Sequence, residues 1–315
     1  MNDNFIMKPK VDFCFKELMA DEFVRKGFIA AVLDVRPETI TSTELLSTHL
    51  RKEHKDDKLG ILDIRILLQD RTQLDIEIQV ESFELWPERS LFYLAKVYTD
   101  QMHEGDDYDK LKKCIHIGIL DFELFSEDEQ YYSRFHIWED ERRRKYTDKF
   151  ELHIFELPKL KKYEDPETEL LNWMRFMSAE KKEEFEMLAE KDEYIEKAYD
   201  RLTKISADEQ KRLEYEAREK AIRDHNWMMK TSLRNGFKKG YDSGYDLGYG
   251  SGYGSGYDSG YDSGYTEGER IGAIKAFIEA GQKFAIPKET VAKQLCDEYT
   301  LTDDEVQNYM KEYWK

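Results

Sequence analysis

The chain has 315 residues, with 67 acidic against 49 basic side chains and a formal net charge of −18. That balance counts against simple non-specific nucleic-acid binding, while 40% of large apolar residues is enough for a sizeable core in one large domain or two smaller ones. Three scattered cysteines (Cys14, Cys114, Cys296) argue against a disulfide framework or a structural zinc site. With no 18-residue apolar run and no signal-peptide layout, a soluble cytoplasmic protein without a membrane partner is expected.

In chain order, apolar residues from Phe15 to Leu33 follow helical spacing. Runs of β character follow at Ile61–Leu68, Leu74–Val80, Ile115–Phe122, Tyr131–Trp138 and Phe150–Leu157. Asp70-Arg-Thr-Gln73 separates the first two as a turn does, which predicts a hairpin. Glu88–His103 reads as a helix between the second and third strands. The order predicts an α/β (α+β) domain over 1–160.

From 161 to 235 the pattern is helical throughout, with helices expected near 166–177, 179–204 and 207–235. Their caps are placed at Asp165-Pro166, at Ser178 and in a capping box, Ser206-Ala-Asp-Glu209. Of the 17 glycines, 12 fall between Gly236 and Gly272, ten of them four residues apart. This Gly-Tyr repeat (236–270) is expected to be a linker, because glycine costs a helix interior about 1 kcal/mol relative to alanine. The other reading is a helix whose small-residue stripe packs closely against another helix. A short helical module over 271–315 follows, with capping-box spacing at Thr302-Asp-Asp-Glu305.

The sharpest chemical constellation lies in the hairpin. Asp63 is a carboxylate in an apolar strand, Gly60-Ile-Leu-Asp-Ile-Arg-Ile. In Leu74-Asp-Ile-Glu-Ile-Gln-Val80, alternation puts Asp75, Glu77 and Gln79 on one face and Ile76 and Ile78 on the other. Asp63 and Glu77 can therefore converge, with Gln79 pointing the same way. Two carboxylates and a neutral oxygen suit a hard divalent ion such as Mg²⁺, with Mn²⁺ or Ca²⁺ as substitutes. The same alternation also describes an ordinary antiparallel strand with one solvated face. Asp12, near the start of the first helix, is a further metal-ligand candidate, or else a carboxylate favoured by the helix dipole. Residues 201–239 carry 11 basic and 6 acidic side chains, which makes Arg234, Lys238 and Lys239 candidate DNA contacts as well as parts of a solvated face.

Several separated motifs occur in one order: Lys8-Pro-Lys-Val-Asp12-Phe-Cys-Phe-Lys16, Asp57-Lys-Leu-Gly-Ile-Leu-Asp63-Ile, Ile76-Glu77-Ile-Gln79-Val, Pro87-Glu-Arg89-Ser-Leu-Phe-Tyr93, Gly105-Asp-Asp-Tyr108-Asp-Lys-Leu111, Ile117-Gly-Ile-Leu-Asp121-Phe and Phe155-Glu-Leu-Pro158-Lys. In order and spacing the chain resembles the recombination-promoting nuclease (Rpn) family, also described as PD-(D/E)XK nuclease family transposases. The resemblance takes in the helical stretch around Asn172-Trp-Met and the glycine repeat. It implies a restriction-endonuclease-like core with a mixed sheet flanked by helices, acting as a metal-dependent DNA endonuclease in a recombination-like context. Asp63 takes the place of the motif's first Asp, and Glu77 that of the second acidic residue. Gln79 stands where the wider superfamily has lysine, and Leu62 where the motif has proline. The family commonly carries this glutamine, so the resemblance implies active chemistry. A lysine at Gln79 would have oriented water and stabilised charge; Lys16 and Lys96 are the candidates to supply that cation. Arg89 and Gln101 bracket the helix after the second strand as candidates for phosphate or site contacts. Gln79 and the acidic balance also suit a non-catalytic DNA-binding or oligomerising protein that retains the fold. Self-association is expected, if anywhere, through the helical region, the repeat or the C-terminal module.

Overall fold

The computed structural model describes residues 5–50, 62–82, 85–162, 167–255 and 261–315, with the side chains of 162 and 245–267 excepted. It divides into two compact units, Met1–Glu219 and Lys220–Lys315. Among the described residues no helix is long and apolar enough to cross a membrane.

Unit 1 opens with two helices where one was expected, α1 (Asp12–Met19) and α2 (Glu22–Leu33). Asp21 interrupts them by taking an extended conformation and accepting hydrogen bonds from the N–H groups of Phe23 and Val24, which caps α2. Then come β1 (Thr43–Leu45), β2 (Ile64–Leu68), β3 (Gln73–Gln79), α3 (Trp86–Thr99), β4 (Cys114–Leu120), β5 (Tyr132–His136), β6 (Trp138–Glu139), β7 (Arg144–Lys145) and β8 (Phe150–Glu156). Six of the strands form one mixed sheet in the order β1-β2-β3-β4-β8-β5. β2 and β3 form the expected antiparallel hairpin, while β3, β4 and β8 run parallel. β6 and β7 form a separate two-stranded ribbon. The fold class expected from the sequence, a mixed sheet flanked by helices, is the one observed.

Both faces of the sheet are covered. Ile64, Ile66, Ile76, Ile78, Ile117 and Ile119 join one core with α1 and α2. On the opposite face α3 sets Tyr93, Leu94 and Val97 against Cys114, while Trp86 packs with Leu120 and Ile154. Central parallel strands buried on both sides leave no solvated face.

Four helices follow: α4 (Glu169–Ser178), α5 (Lys182–Ala189), α6 (Glu193–Ala207) and α7 (Glu209–Ser255). Leu171, Trp173, Phe176, Phe185, Ile195, Leu202 and Tyr215 belong to the same core as the sheet. The boundary expected at 160/161 therefore does not divide two cores; the division falls at 219/220. Two expected caps are corrected. Ser178 ends α4, and the α5 N-cap is Lys181. Ser206 lies in the last turn of α6 and accepts from the Met7 N–H, whereas Asp208 caps α7 by accepting from the Lys211 N–H. Thr168 caps α4; Asp165 and Pro166 lie outside the described residues.

Unit 2 continues α7 and adds α8 (Tyr261–Lys283), α9 (Lys288–Tyr299) and α10 (Asp303–Tyr313). The capping box at Thr302 and Glu305 forms as expected. The expectation of a linker over 236–270 is overturned, since 236–255 and 261–270 are helical. A Cβ on Gly240 would lie 1.9 Å from the Ala276 Cβ, and one on Gly244 would lie 3.0 Å from the Gly272 backbone. The small residues permit α7 and α8 to approach closely, and this packing offsets the intrinsic cost of glycine in a helix.

Candidate active site

Glu77 lies on the face of β3 covered by α3 and is only 2% exposed. The β2–β3 register pairs Ile64 with Ile76, so Asp63, one residue before β2, stands level with Glu77. Two hydrogen bonds fix the pair. The Asp63 N–H donates to Glu77 Oε1 (3.1 Å), and the Ile78 N–H donates to Asp63 Oδ2 (3.2 Å). Each carboxylate also meets a cation: Lys16 Nζ is 2.9 Å from Asp63 Oδ1, and Arg89 Nη2 is 3.0 Å from Glu77 Oε2. The Arg89 guanidinium is held over the rings of Tyr93 and Trp86, at 5.4 and 5.7 Å.

Space for this cluster comes from the neighbouring strand. Gly118 of β4 is paired with Glu77, and a Cβ there would lie 2.8 Å from the Trp86 ring. Beside it, Asp75 and His116 form a fully buried pair at 2.7 Å. Burial, together with the charges of Asp75 and Asp63, pushes the Glu77 carboxyl up to about 8; Arg89 and the Asp63 N–H oppose this without prevailing. Glu77 is therefore a carboxyl in a dry site with two further carboxylates beside it.

The other sequence candidates divide. Asp12, the first residue of α1, lies 3.8 Å from Lys16 Nζ, so Lys16 links it to Asp63, and it also lies 3.8 Å from Arg218 Nη1. Gln79 ends β3, and its amide donates to the Glu81 carbonyl (3.1 Å). Of the two lysines proposed to replace a motif lysine, Lys16 reaches the site. Arg89 contacts Glu77 directly. Gln101 instead donates to the Lys112 carbonyl and to Cys114 Sγ, a structural role away from the carboxylates. Arg234, Lys238 and Lys239 are exposed on the part of α7 that belongs to unit 2. Residues 57–61 of the Asp57–Asp63 motif lie outside the described residues.

Sequence reasoning missed the Asp75–His116 pair and a salt bridge between Lys10 and Asp121 (2.9 Å), whose N–H donates to the Gln79 carbonyl. The signal for the second was present, since both residues lie in the recurrent motifs. Among the described residues no group of three or more His, Cys, Asp or Glu side chains could hold a metal ion. The Asp63–Glu77 pair still offers two hard carboxylates, the donor set with which Mg²⁺ is commonly held while keeping several waters.

A family model described as PD-(D/E)XK nuclease family transposase matches residues 9–232. The match ends before the Gly-Tyr repeat, which the sequence resemblance had included. No curated protein and no solved structure matches the chain. Spanning well over half of the sequence and taking in both Asp63 and Glu77, the match shows that the chain belongs to the PD-(D/E)XK nuclease family transposases.

Proposed function

We propose that the protein is a divalent-metal-dependent DNA endonuclease of the cytoplasm, hydrolysing phosphodiester bonds in a recombination-like context, with Asp63 and Glu77 as the metal-holding carboxylates. The observation that carries this reading is the buried Glu77 carboxylate, which accepts from the Asp63 N–H while the Ile78 N–H donates to Asp63, in a site where burial and the neighbouring carboxylates raise its pKa. Mg²⁺ is the favoured ion, with Mn²⁺ as a substitute; when bound it supplies Lewis acidity and charge neutralisation at the phosphodiester.

The chain's own groups do the rest. Asp63 and Glu77 are oriented by the Ile78 and Asp63 N–H groups, so little reorganisation accompanies ion entry. Arg89 steadies Glu77 from α3. Lys16, at Asp63, is the cation best placed to take the part of the superfamily lysine that Gln79 replaces. Gln79 can orient a water through its amide but adds no charge. Asp12 acts through Lys16, as a positioning residue. Arg234, Lys238 and Lys239 contact DNA phosphates.

Plasmid nicking tests this reading. Wild-type protein cuts with Mg²⁺ and not with chelator, and Asp63→Ala and Glu77→Ala each lose at least about 100-fold in rate. Lys16→Ala loses about 10- to 100-fold, as partners of metal ligands commonly do. Failure of the wild type to cut, or full activity in both carboxylate variants, would overturn it. Gln79 in place of lysine favours the second reading, a DNA-binding protein without catalysis; wild-type binding of duplex DNA without cleavage is its signature.

A further inference from the structure

The β6–β7 ribbon projects from the chain between the edge strand β5 and β8. Its register pairs Trp138 with Lys145 and Glu139 with Arg144, and residues 140–143 turn between them. Trp138 is 46% exposed and Tyr146 84% exposed, with Ile137 and Phe135 also open. Lys145 Nζ lies 5.5 Å from the Trp138 ring centre, and His136 packs edge-on against the same ring. Arg142, Arg143, Arg144 and Lys145 follow one another, all exposed. Among the described residues, Arg142 alone of the four pairs with a carboxylate, Glu139 (Nε to Oε2, 3.2 Å). With Glu139, Asp140 and Glu141 just before them, the four basic side chains at 142–145 leave residues 138–146 with four basic against three acidic, the basic ones grouped together.

Large exposed aromatics beside consecutive cations, in a chain of net charge −18, have no folding rationale. They do have a rigid base. Glu151, fully buried in β8, accepts from His153 and Arg134 and pairs with Lys113 and His136. This fixes the side chains of β5 from which the ribbon leaves.

From this arrangement we infer that the β6–β7 ribbon is a DNA-docking element that grips duplex phosphates through Arg143, Arg144 and Lys145 and lays Trp138 against the sugar-base edge. The major groove admits a two-stranded ribbon, and strand alternation puts Lys145 on the Trp138 face and Arg144 on the opposite one, so the cations can meet phosphates on both sides of the groove. The inference rests on DNA as the substrate and adds a contact that is independent of the helix α7 cations. Counting registers from Glu77 across β4 and β8 to β5 and then along to His136 gives roughly 17 Å, by strand spacing and rise. At 3.4 Å per base step that is about five base pairs, so one short duplex can occupy both places.

The test is equilibrium binding of a fluorescent DNA duplex to the full chain in chelator, as a function of salt. Arg143→Glu/Arg144→Glu is compared with Lys197→Glu/Lys204→Glu, which makes the same change in net charge on exposed positions of α6. The ribbon variant is expected to bind several-fold more weakly and to lose about 2 from the slope of log K against log salt, with the α6 variant close to wild type. Equal behaviour of the two variants, or no duplex binding by wild type, overturns the inference. Should the reversal variant fail to fold, Arg143→Gln/Arg144→Gln compared with Lys197→Gln/Lys204→Gln gives the same charge-matched test. Because binding is read without metal, a ribbon effect with no cleavage in Mg²⁺ leaves the docking inference standing and overturns the nuclease reading. Cleavage with no ribbon effect does the converse.

Discussion

Glu77 is a carboxylate with almost no solvent around it, placed between Asp63 and Asp75 and faced by the Arg89 guanidinium at 3.0 Å. Its pKa in the fold is about 8, well above that of an unfolded glutamate. The folded state therefore binds the extra proton between roughly pH 4.5 and 8, and metal-free stability falls as pH rises through that window. Thermal unfolding in chelator should show this fall for wild type and a flatter profile for Glu77→Gln; equal slopes would contradict it. The meeting of Asp63 and Glu77 was legible because strand alternation and a turn at Asp70–Gln73 fix the register. The solvated-face alternative was equally compatible with that pattern. It fails because α3 covers the face, a tertiary fact carried by Trp86 and Tyr93 rather than by β3. Arg89 was visible only as a candidate for the same reason: nothing local to Pro87–Tyr93 says which strand α3 covers.

At the scale of elements, β2, β3, β4, β5, β8 and the helices α3, α9 and α10 were legible from periodicity and caps, while β1, β7, the break of the expected 179–204 helix into α5 and α6, the split of the first helix and the helical repeat were not. Asp21 splits the first helix because its side chain caps the second, competing with helix continuation. The Gly-Tyr repeat reads as a linker by propensity, yet it is helical because Gly240 and Gly244 admit Ala276 and Gly272 at close range. Propensity counts the cost of each glycine and is blind to the partner that offsets it. Gly240→Leu should therefore destabilise unit 2 by about 1–3 kcal/mol or more through overpacking. Hydrogen exchange of α8 backbone amides reads this locally, with faster exchange expected in the variant and unchanged exchange in β3 and β4. Protection of α8 equal to wild type would show that the two helices do not depend on that contact.

For the whole molecule, the net charge of −18 looked like an obstacle to DNA. Its distribution matters more than its sum. Part of the acidity is the Asp63, Asp75 and Glu77 cluster, which the proposed divalent ion would neutralise, and the basic positions are concentrated at a few places. Replacing Arg234, Lys238 and Lys239 with Gln should lower the salt slope of duplex binding by about 3 if all three meet phosphates, with a smaller change for each that does not. An unchanged slope would remove α7 from the interface. Domain boundaries were the least legible feature at this scale. The helices α4–α6 look like a separate helical region in sequence, but Trp173, Phe185 and Leu202 complete the core begun by α1, α2 and the sheet.

That Asp63 and Glu77 share one divalent ion is tested most directly by calorimetric titration of Mn²⁺ into the full-length protein near pH 7, in buffers of different ionisation heat. Wild type should bind one ion at this site and release part of a proton as it does, since Glu77 begins largely protonated. Asp63→Asn and Glu77→Gln should each weaken binding by at least about tenfold, and Glu77→Gln should abolish the proton release. Mn²⁺ binding of equal affinity in wild type and both variants would contradict the shared site.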